Sequence, residues 1–303
     1  MAVGVPALAQ PAPRAPEGYP GDYADVIAKA QREGGVTVYA STDLEVVKPL
    51  IQGFEARYPG VRVQYQDLNT LELHERFLAE SASTDPGQPG RDAAYADVLW
   101  SMAMDLKITL VNDGHAQRYE SPERDGLPSW AVWRDEAWGT TFEPAVIVYN
   151  RKHFAGSHVP GSRSGLARLL QEHAPQWRGK VVTYDVERSG VGYLLAQQDA
   201  RMGSEFWYLA QALGRARVQL SASTADMIER IASGNLVLGY NMLGSYALSL
   251  MERGAGIGVI APRDYTLVMS RVAFIARRAP RPNAARLWLD YLLSRDEIGR
   301  AHV

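Results

Sequence analysis

The chain of 303 residues contains no cysteine. That absence excludes a disulfide framework, a thiol nucleophile, cysteine-ligated zinc, an iron–sulfur cluster and a lipid-modified N-terminal cysteine. An excess of either charge is also missing: 32 Lys and Arg stand against 34 Asp and Glu, a formal net charge of −2. This balance argues against a nucleic-acid partner, which calls for a basic face. No stretch approaches the roughly 18 consecutive apolar residues of a membrane span. His74, His115, His153, His158, His173 and His302 form no His-x-x-x-His pair and have no acidic cluster beside them, so no metal site is expected. Neither a Gly-x-Ser-x-Gly elbow nor a phosphate loop ending Gly-Lys-Ser/Thr occurs. No catalytic residue and no cofactor are expected.

What is present is a soluble α/β pattern, 46% hydrophobic and long enough for two domains or one large one. Ala7-Leu8-Ala9 is the small-x-small pattern of a signal-peptidase site, so residues 1–9 read as the remnant of a secretory signal. Residues 10–21 are a Pro-rich lead-in. At the other end, Glu297 to Val303 is the heptapeptide that in-frame read-through of a common sequencing adapter encodes. The expectation is that the natural chain continues past Asp296, and His302 is given no functional weight.

Between these ends, strands alternate with helices. A helix is expected over 22–33, a strand over 36–40, a helix over 44–58, a strand over 61–65, a helix over 71–81, a loop over 84–92, and a strand over 96–100 with a helix to about 112. This spacing is the βαβ pattern of a parallel sheet. Gly139 to Asn150 is a long strand-like run with Pro144 inside it, which suits an edge or a crossing between two bodies better than a central strand. A second α/β unit follows, with strands at 180–185, 236–239 and 258–261.

Three βα turns carry small hydroxyl residues: Ser41 and Thr42, then Ser101, then Ser189-Gly190-Val191-Gly192. In open parallel sheets ligands sit beyond the carboxyl ends of strands, where helix N-termini aim N–H groups at them. Arg188 adds a charge-assisted donor for an anion. Each turn taken singly is also an ordinary helix cap; three in corresponding places point to a cleft between two units. Tyr240, Asn241, Ser245 and Tyr246 lie where a strand runs into a Gly-rich turn. They suit hydrogen bonding to a small solute, or equally the covering of a helix end.

Glu33 to Thr42, Phe54 to Val63, Ala96 to Ser101, Val146 to Asn150 and Trp177 to Val181 together resemble the periplasmic solute-binding proteins of bacterial ABC importers. The likeness is to the family 1 branch that includes ferric-iron, organophosphate and aminoethylphosphonate binders, and it runs in order from Asp22 to Asp296. It implies a type II periplasmic-binding-protein fold: two α/β lobes joined by two crossing hinge strands, closing on a ligand in the cleft between them. Lobe 1 is then 22–143 with a return segment 265–296, and lobe 2 is 144–264. The resemblance implies a monomer in the periplasm that delivers its solute to a membrane permease, with an ATPase on the cytoplasmic side. Ferric binders of the family clamp iron with adjacent tyrosines, but the matching turn here reads Tyr240-Asn241-Met242 and no Tyr-Tyr pair exists. A small organic anion bearing phosphate or phosphonate is therefore expected, held by Ser41, Thr42, Ser101, Arg188, Ser189, Gly190, Tyr240, Asn241 and Tyr246. Iron binding and ligand sensing for a receptor kinase stay open as alternatives on the same fold.

Overall fold

The computed structural model describes residues 15–82, 95–154, 159–172 and 174–294. The readings of residues 1–9, 10–14, 84–92 and 297–303 lie outside the described residues, as do His158, His173 and His302.

Helical spacing places Tyr23, Ile27 and Ala30 on the buried face of α1 (Tyr23–Glu33), which ends at Gly34 with a left-handed φ of 76°. Then follow β1 (Gly35–Ala40), α2 (Leu44–Arg57), β2 (Arg62–Asp67), α3 (Thr70–Ala82), β3 (Val98–Ser101) and α4 (Met104–Asn112). β1 is buried at every position and pairs in parallel with β2 and β3. It has strands on both sides and apolar residues on both faces, so its sequence does not alternate. A hairpin of β4 (Val132–Trp133) and β5 (Ala137–Gly139) turns through Arg134 and Asp135, whose φ values are 55° and 56°.

β6 (Glu143–Asn150) leads out of this sheet into a second one. The second body comprises α5 (Arg163–Glu172), α6 (Ala174–Trp177), β7 (Val181–Tyr184), α7 (Gly190–Met202), α8 (Glu205–Arg215), β8 (Gln219–Ser221), α9 (Thr224–Ala232), β9 (Leu238–Leu243), α10 (Gly244–Glu252) and β10 (Ile257–Ile260). The chain returns through β11 (Val268–Met269) and β12 (Val272–Ile275) to α11 (Pro282–Leu293). The sheet of lobe 1 has the order β2-β1-β3-β12-β5-β4; that of lobe 2 has β10-β6-β9-β7-β8, with β11 also paired to β6.

The expected parallel βαβ arrangement holds for β1, β2 and β3, while the crossing strands run the other way: β12 is antiparallel to β3 and β5, and β6 is antiparallel to β9 and β10. Each crossing strand arrives from the opposite lobe and so enters its sheet reversed. One expectation needs correction: the run from Gly139 to Asn150 is broken at residues 140–142. Its second part does cross between the bodies, yet β6 lies between β10 and β9 rather than at an edge. Pro144 is tolerated because it is the second residue of β6, beside the short β11, and the neighbouring Ala145 N–H donates to Leu267 O at 2.8 Å.

Lobe 1 is held together from both ends of the chain. Phe54 of α2 meets Trp288 and Tyr291 of α11 edge-on, with ring centroids 5.0 and 5.3 Å apart. Beside them, the buried carboxylate of Asp290 accepts hydrogen bonds from Tyr23, Tyr119 and Ser121, each at 2.6 Å. Lobe 2 buries Val146, Val148, Val182, Leu195, Ile228 and Met242 in its own core.

Burial pushes the Asp290 carboxyl up from 3.8 to about 7, against the pull of its three hydroxyl donors. A carboxyl raised on folding binds its proton more tightly in the folded chain. Its contribution is therefore full below the ordinary value and gone once the pH passes the folded value. The stability difference between wild type and Asp290→Asn is expected to be larger near pH 5 than near pH 8, by on the order of 2 kcal/mol, in urea unfolding at the two pH values.

Candidate functional site

The carboxyl ends of β1, β2 and β3 in lobe 1 and of β7 and β8 in lobe 2 converge on one cavity of about 210 Å³. Ser41 and Asp43 follow β1, Asp67 ends β2, and Met102 follows β3. Tyr184, Arg188 and Ser189 come from the β7–α7 turn, and Ser223 and Thr224 from the β8–α9 turn. The space is smaller than the roughly 300–1,000 Å³ of pockets for drug-sized ligands, so it suits a small solute.

Of the residues expected from sequence, Ser41, Arg188, Ser189 and Tyr246 line this cavity. Ser189 caps α7, its hydroxyl accepting from Gly192 N–H at 3.1 Å. Ser101 and Thr42 stand directly behind the lining: Ser41 donates to Ser101 Oγ at 3.2 Å, and Thr42 Oγ1 accepts from the Arg271 guanidinium. Gly190 joins the lobes, its N–H donating to Thr70 Oγ1 of α3 at 2.8 Å. A Cβ at Gly190 would stand 2.9 Å from that oxygen, too close for α3 and α7 to keep this approach.

Tyr240 and Asn241 are not brought to the cavity. β9 runs on to Leu243 instead of stopping before them, so both lie inside a strand, and a register shift opposite Val146 and Val148 leaves Asn241 at a φ of 58°. Their side chains turn into lobe 2. Tyr240 OH donates to Asp199 Oδ2 at 2.6 Å, Asn241 Nδ2 donates to the same oxygen at 2.7 Å, and Arg163 Nε donates to both Tyr240 OH and Asp199 Oδ1. Asp199 is fully buried, and four donors satisfy it, Tyr265 being the fourth.

The residue that sequence reasoning missed most plainly is Arg271, which lies between β11 and β12 and lines the cavity. Its Nε donates to Glu143 Oε1 at 2.6 Å, and both side chains are essentially inaccessible. Burial alone would raise the Glu143 carboxyl; Arg271 overcomes this, with help from Ser245 and Thr141, and holds it below its ordinary value. No local motif marks Arg271, because its role comes from the return of the chain. Ser223 did leave a signal: its hydroxyl accepts from Asp226 N–H at 3.2 Å, a Ser-x-x-Asp cap after a strand of only three residues.

A family profile described as bacterial extracellular solute-binding protein matches residues 36–298. The substrate-binding protein of an ABC transporter from Agrobacterium tumefaciens is 37% identical, with 87% of this chain aligned to 75% of that one at a TM-score of 0.80. The chain belongs to the bacterial extracellular solute-binding proteins.

Two further solved structures share the fold of this solute-binding protein. AfuA from Actinobacillus pleuropneumoniae, with fructose-6-phosphate bound, is 18% identical over 87% of this chain and 81% of its own, at a TM-score of 0.69. Iron-bound HitA from Pseudomonas aeruginosa is 17% identical over 88% and 83%, also at 0.69. No curated protein matches the sequence. Among the described residues no helix is long and apolar enough to cross a membrane.

Removing one partner of a buried ion pair strands the other charge. Glu143→Gln is expected to lower the unfolding free energy of this solute-binding protein by about 3 kcal/mol, read from the midpoint of urea unfolding at neutral pH.

Proposed function

We propose that this solute-binding protein captures a small organic anion, bearing phosphate or phosphonate, in the interlobe cavity and delivers it unchanged to an ABC permease. Capture takes place in the periplasm by a monomer, and the ATPase that drives import works on the cytoplasmic side of the permease. The moving bodies are lobe 1, residues 22–143 with 265–296, and lobe 2, residues 144–264. The observation that carries the ligand class is the convergence of two capped helix N-termini, at Ser189 and Ser223, with the exposed Arg188 on one cavity. Backbone N–H groups at helix starts, together with a guanidinium, recognise phosphoryl and carboxylate oxygens.

The placement of Tyr240 supports this reading over ferric iron. A clamp of phenolates needs tyrosines that face the ion, whereas Tyr240 donates to Asp199 inside lobe 2. Tyr184 and Tyr246 do line the cavity, but burial raises both phenols above their ordinary value, which favours the protonated form over the phenolate.

A ligand at a thousand times its Kd adds about 4 kcal/mol to stability. Thermal melting with phosphate esters, phosphonates, dicarboxylates and ferric citrate is expected to show a shift with a phosphorus-bearing compound that is recovered intact; a shift with ferric citrate alone overturns the ligand class. Gly190→Val is expected to weaken binding of the compound so found at least tenfold, about 1.4 kcal/mol, in titration calorimetry, with far-UV circular dichroism unchanged. The added side chain disfavours the closed lobes rather than either lobe's fold.

A further inference from the structure

Helix α4 carries a lysine at an apolar position. Helical spacing puts Lys107 on the same face as Leu110 and Val111, and all three side chains are buried. Lys107 is wholly inaccessible, is in no salt bridge among the described residues, and its Nζ has no hydrogen-bond partner. Two further buried atoms also lack one: Oδ1 of Asp105 on the same helix and Nδ1 of His74 on α3. Asp105 is two residues from Lys107, a spacing that turns the side chains to different faces, so its charge acts on the amine without pairing it. The charge of Lys107 in turn reaches His74 and, with burial, holds that imidazole below its ordinary value. Glu75 and Asp113 also act on His74. β12, packed on α4, is Val272–Ile275 and brings no charge, nor does Gly190-Val191-Gly192 at the start of α7. An ammonium without a counter-ion in a dry site is costly, and burial drives the amine down from 10.5 to about 7.

This amine stands beside the place where the lobes touch. The N–H of Gly190 donates to Thr70 Oγ1 at the start of α3. A Cβ on Gly190 would lie 3.4 Å from Ala103 Cβ and 3.4 Å from Leu106 Cδ1, at the start of α4. His74 follows Thr70 by one turn; Lys107 follows Ala103 by one turn and Leu106 directly. The first turns of α3 and α4 thus form the seat of α7, and the turns behind them hold the unpaired imidazole and amine. Lifting α7 from this seat uncovers the end of the α3–α4 pair next to Lys107.

We propose that Lys107 couples closure of the lobes to the loss of a proton: the lobes close over a neutral amine, and a proton on Lys107 favours their separation as water gains access to it. Lys107 does not line the cavity, so it is a positioning residue that acts through the seat of α7, whichever solute is bound. The sign follows from linkage. Separated lobes bind the proton near the ordinary value of 10.5 and closed lobes near 7, so rising pH favours closure between these values and has no such effect below them. Reciprocally, closure within that window expels a proton.

The test is urea unfolding of the full chain, without ligand, at pH 7 and pH 9.5. Wild type is compared with Lys107→Met and Lys107→Gln, each of them uncharged at both pH values, in the Gly190 background and again with Gly190→Val. With Gly190, the unfolding equilibrium constant of wild type is expected to fall about a hundredfold more than that of either variant between the two pH values. With Gly190→Val, which disfavours the closed lobes, the amine is solvated before unfolding and this difference is expected to vanish. Asp290 and every other titrating group are common to the chains compared and cancel. Lys107→Gln carries the comparison if Lys107→Met does not fold. A difference that does not change with pH in the Gly190 background overturns the proposal, because the ammonium is then not penalised. A change with pH of equal size in both backgrounds assigns the burial of the amine to lobe 1 alone and overturns the coupling to closure.

Discussion

Everything at the cleft depends on keeping one guanidinium and one carboxylate together where water does not reach. Glu143 stands at the beginning of the strand that leaves lobe 1, and Arg271 just before the strand that re-enters it. Their bond therefore joins the two crossings side by side. Arg271 also donates to Thr42 of lobe 1, and Glu143 accepts from Ser245 of lobe 2. A buried pair of this kind adds little net stability compared with apolar residues of the same size, because desolvation offsets most of the attraction. It does restrict geometry: once the charges are buried, no arrangement of the crossings that separates them is accessible without a large cost.

Beyond the hinge, each lobe fixes its own half of the cavity by different means. In lobe 1 the parallel strands β1, β2 and β3 end at Ala40, Asp67 and Ser101, so the turns that follow them open on the same side. In lobe 2 the decisive element is α7. Its first turn meets α3, and further along Asp199 anchors it to Arg163, Tyr240, Asn241 and Tyr265. Tyr265 lies on the segment that leads back towards Arg271, so the helix that faces the cleft and the returning chain share one buried carboxylate.

The features that could be read from the sequence were those set by neighbours in the chain. α1, α2, α3 and β1 fall close to their expected limits because apolar spacing and the left-handed Gly34 are local facts. Ser41, Arg188, Ser189 and Tyr246 reach the cavity for the same reason, as residues of strand–helix turns or of a helix that follows a strand. Tyr240 and Asn241 illustrate the limit. Whether β9 ends before them or runs through them depends on how β6 and β7 pair with it, and a bulge opposite β6 decides where Asn241 points. Arg271 was invisible for a related reason: a lone arginine near a short strand acquires meaning only when the chain brings it back beside Glu143. The strands β4, β5, β8 and β11, of two or three residues each, carry too little periodicity to be detected.

The placement of α11 has a consequence for the order in which the molecule can assemble. Asp290 meets Tyr23 across 267 positions and Tyr119 across 171, and β12 sits between β3 and β5, strands formed from residues far upstream. Contacts of such separation close large loops and form slowly. The sheet of lobe 2, from β6 to β10, is contiguous and draws on shorter separations. As the chain emerges from the ribosome, lobe 2 has all its main strands while lobe 1 still lacks a central strand and its last helix. Lobe 1 therefore stays incomplete until the returning segment that carries β12 and α11 has been made, whereas lobe 2 can close its main sheet without it.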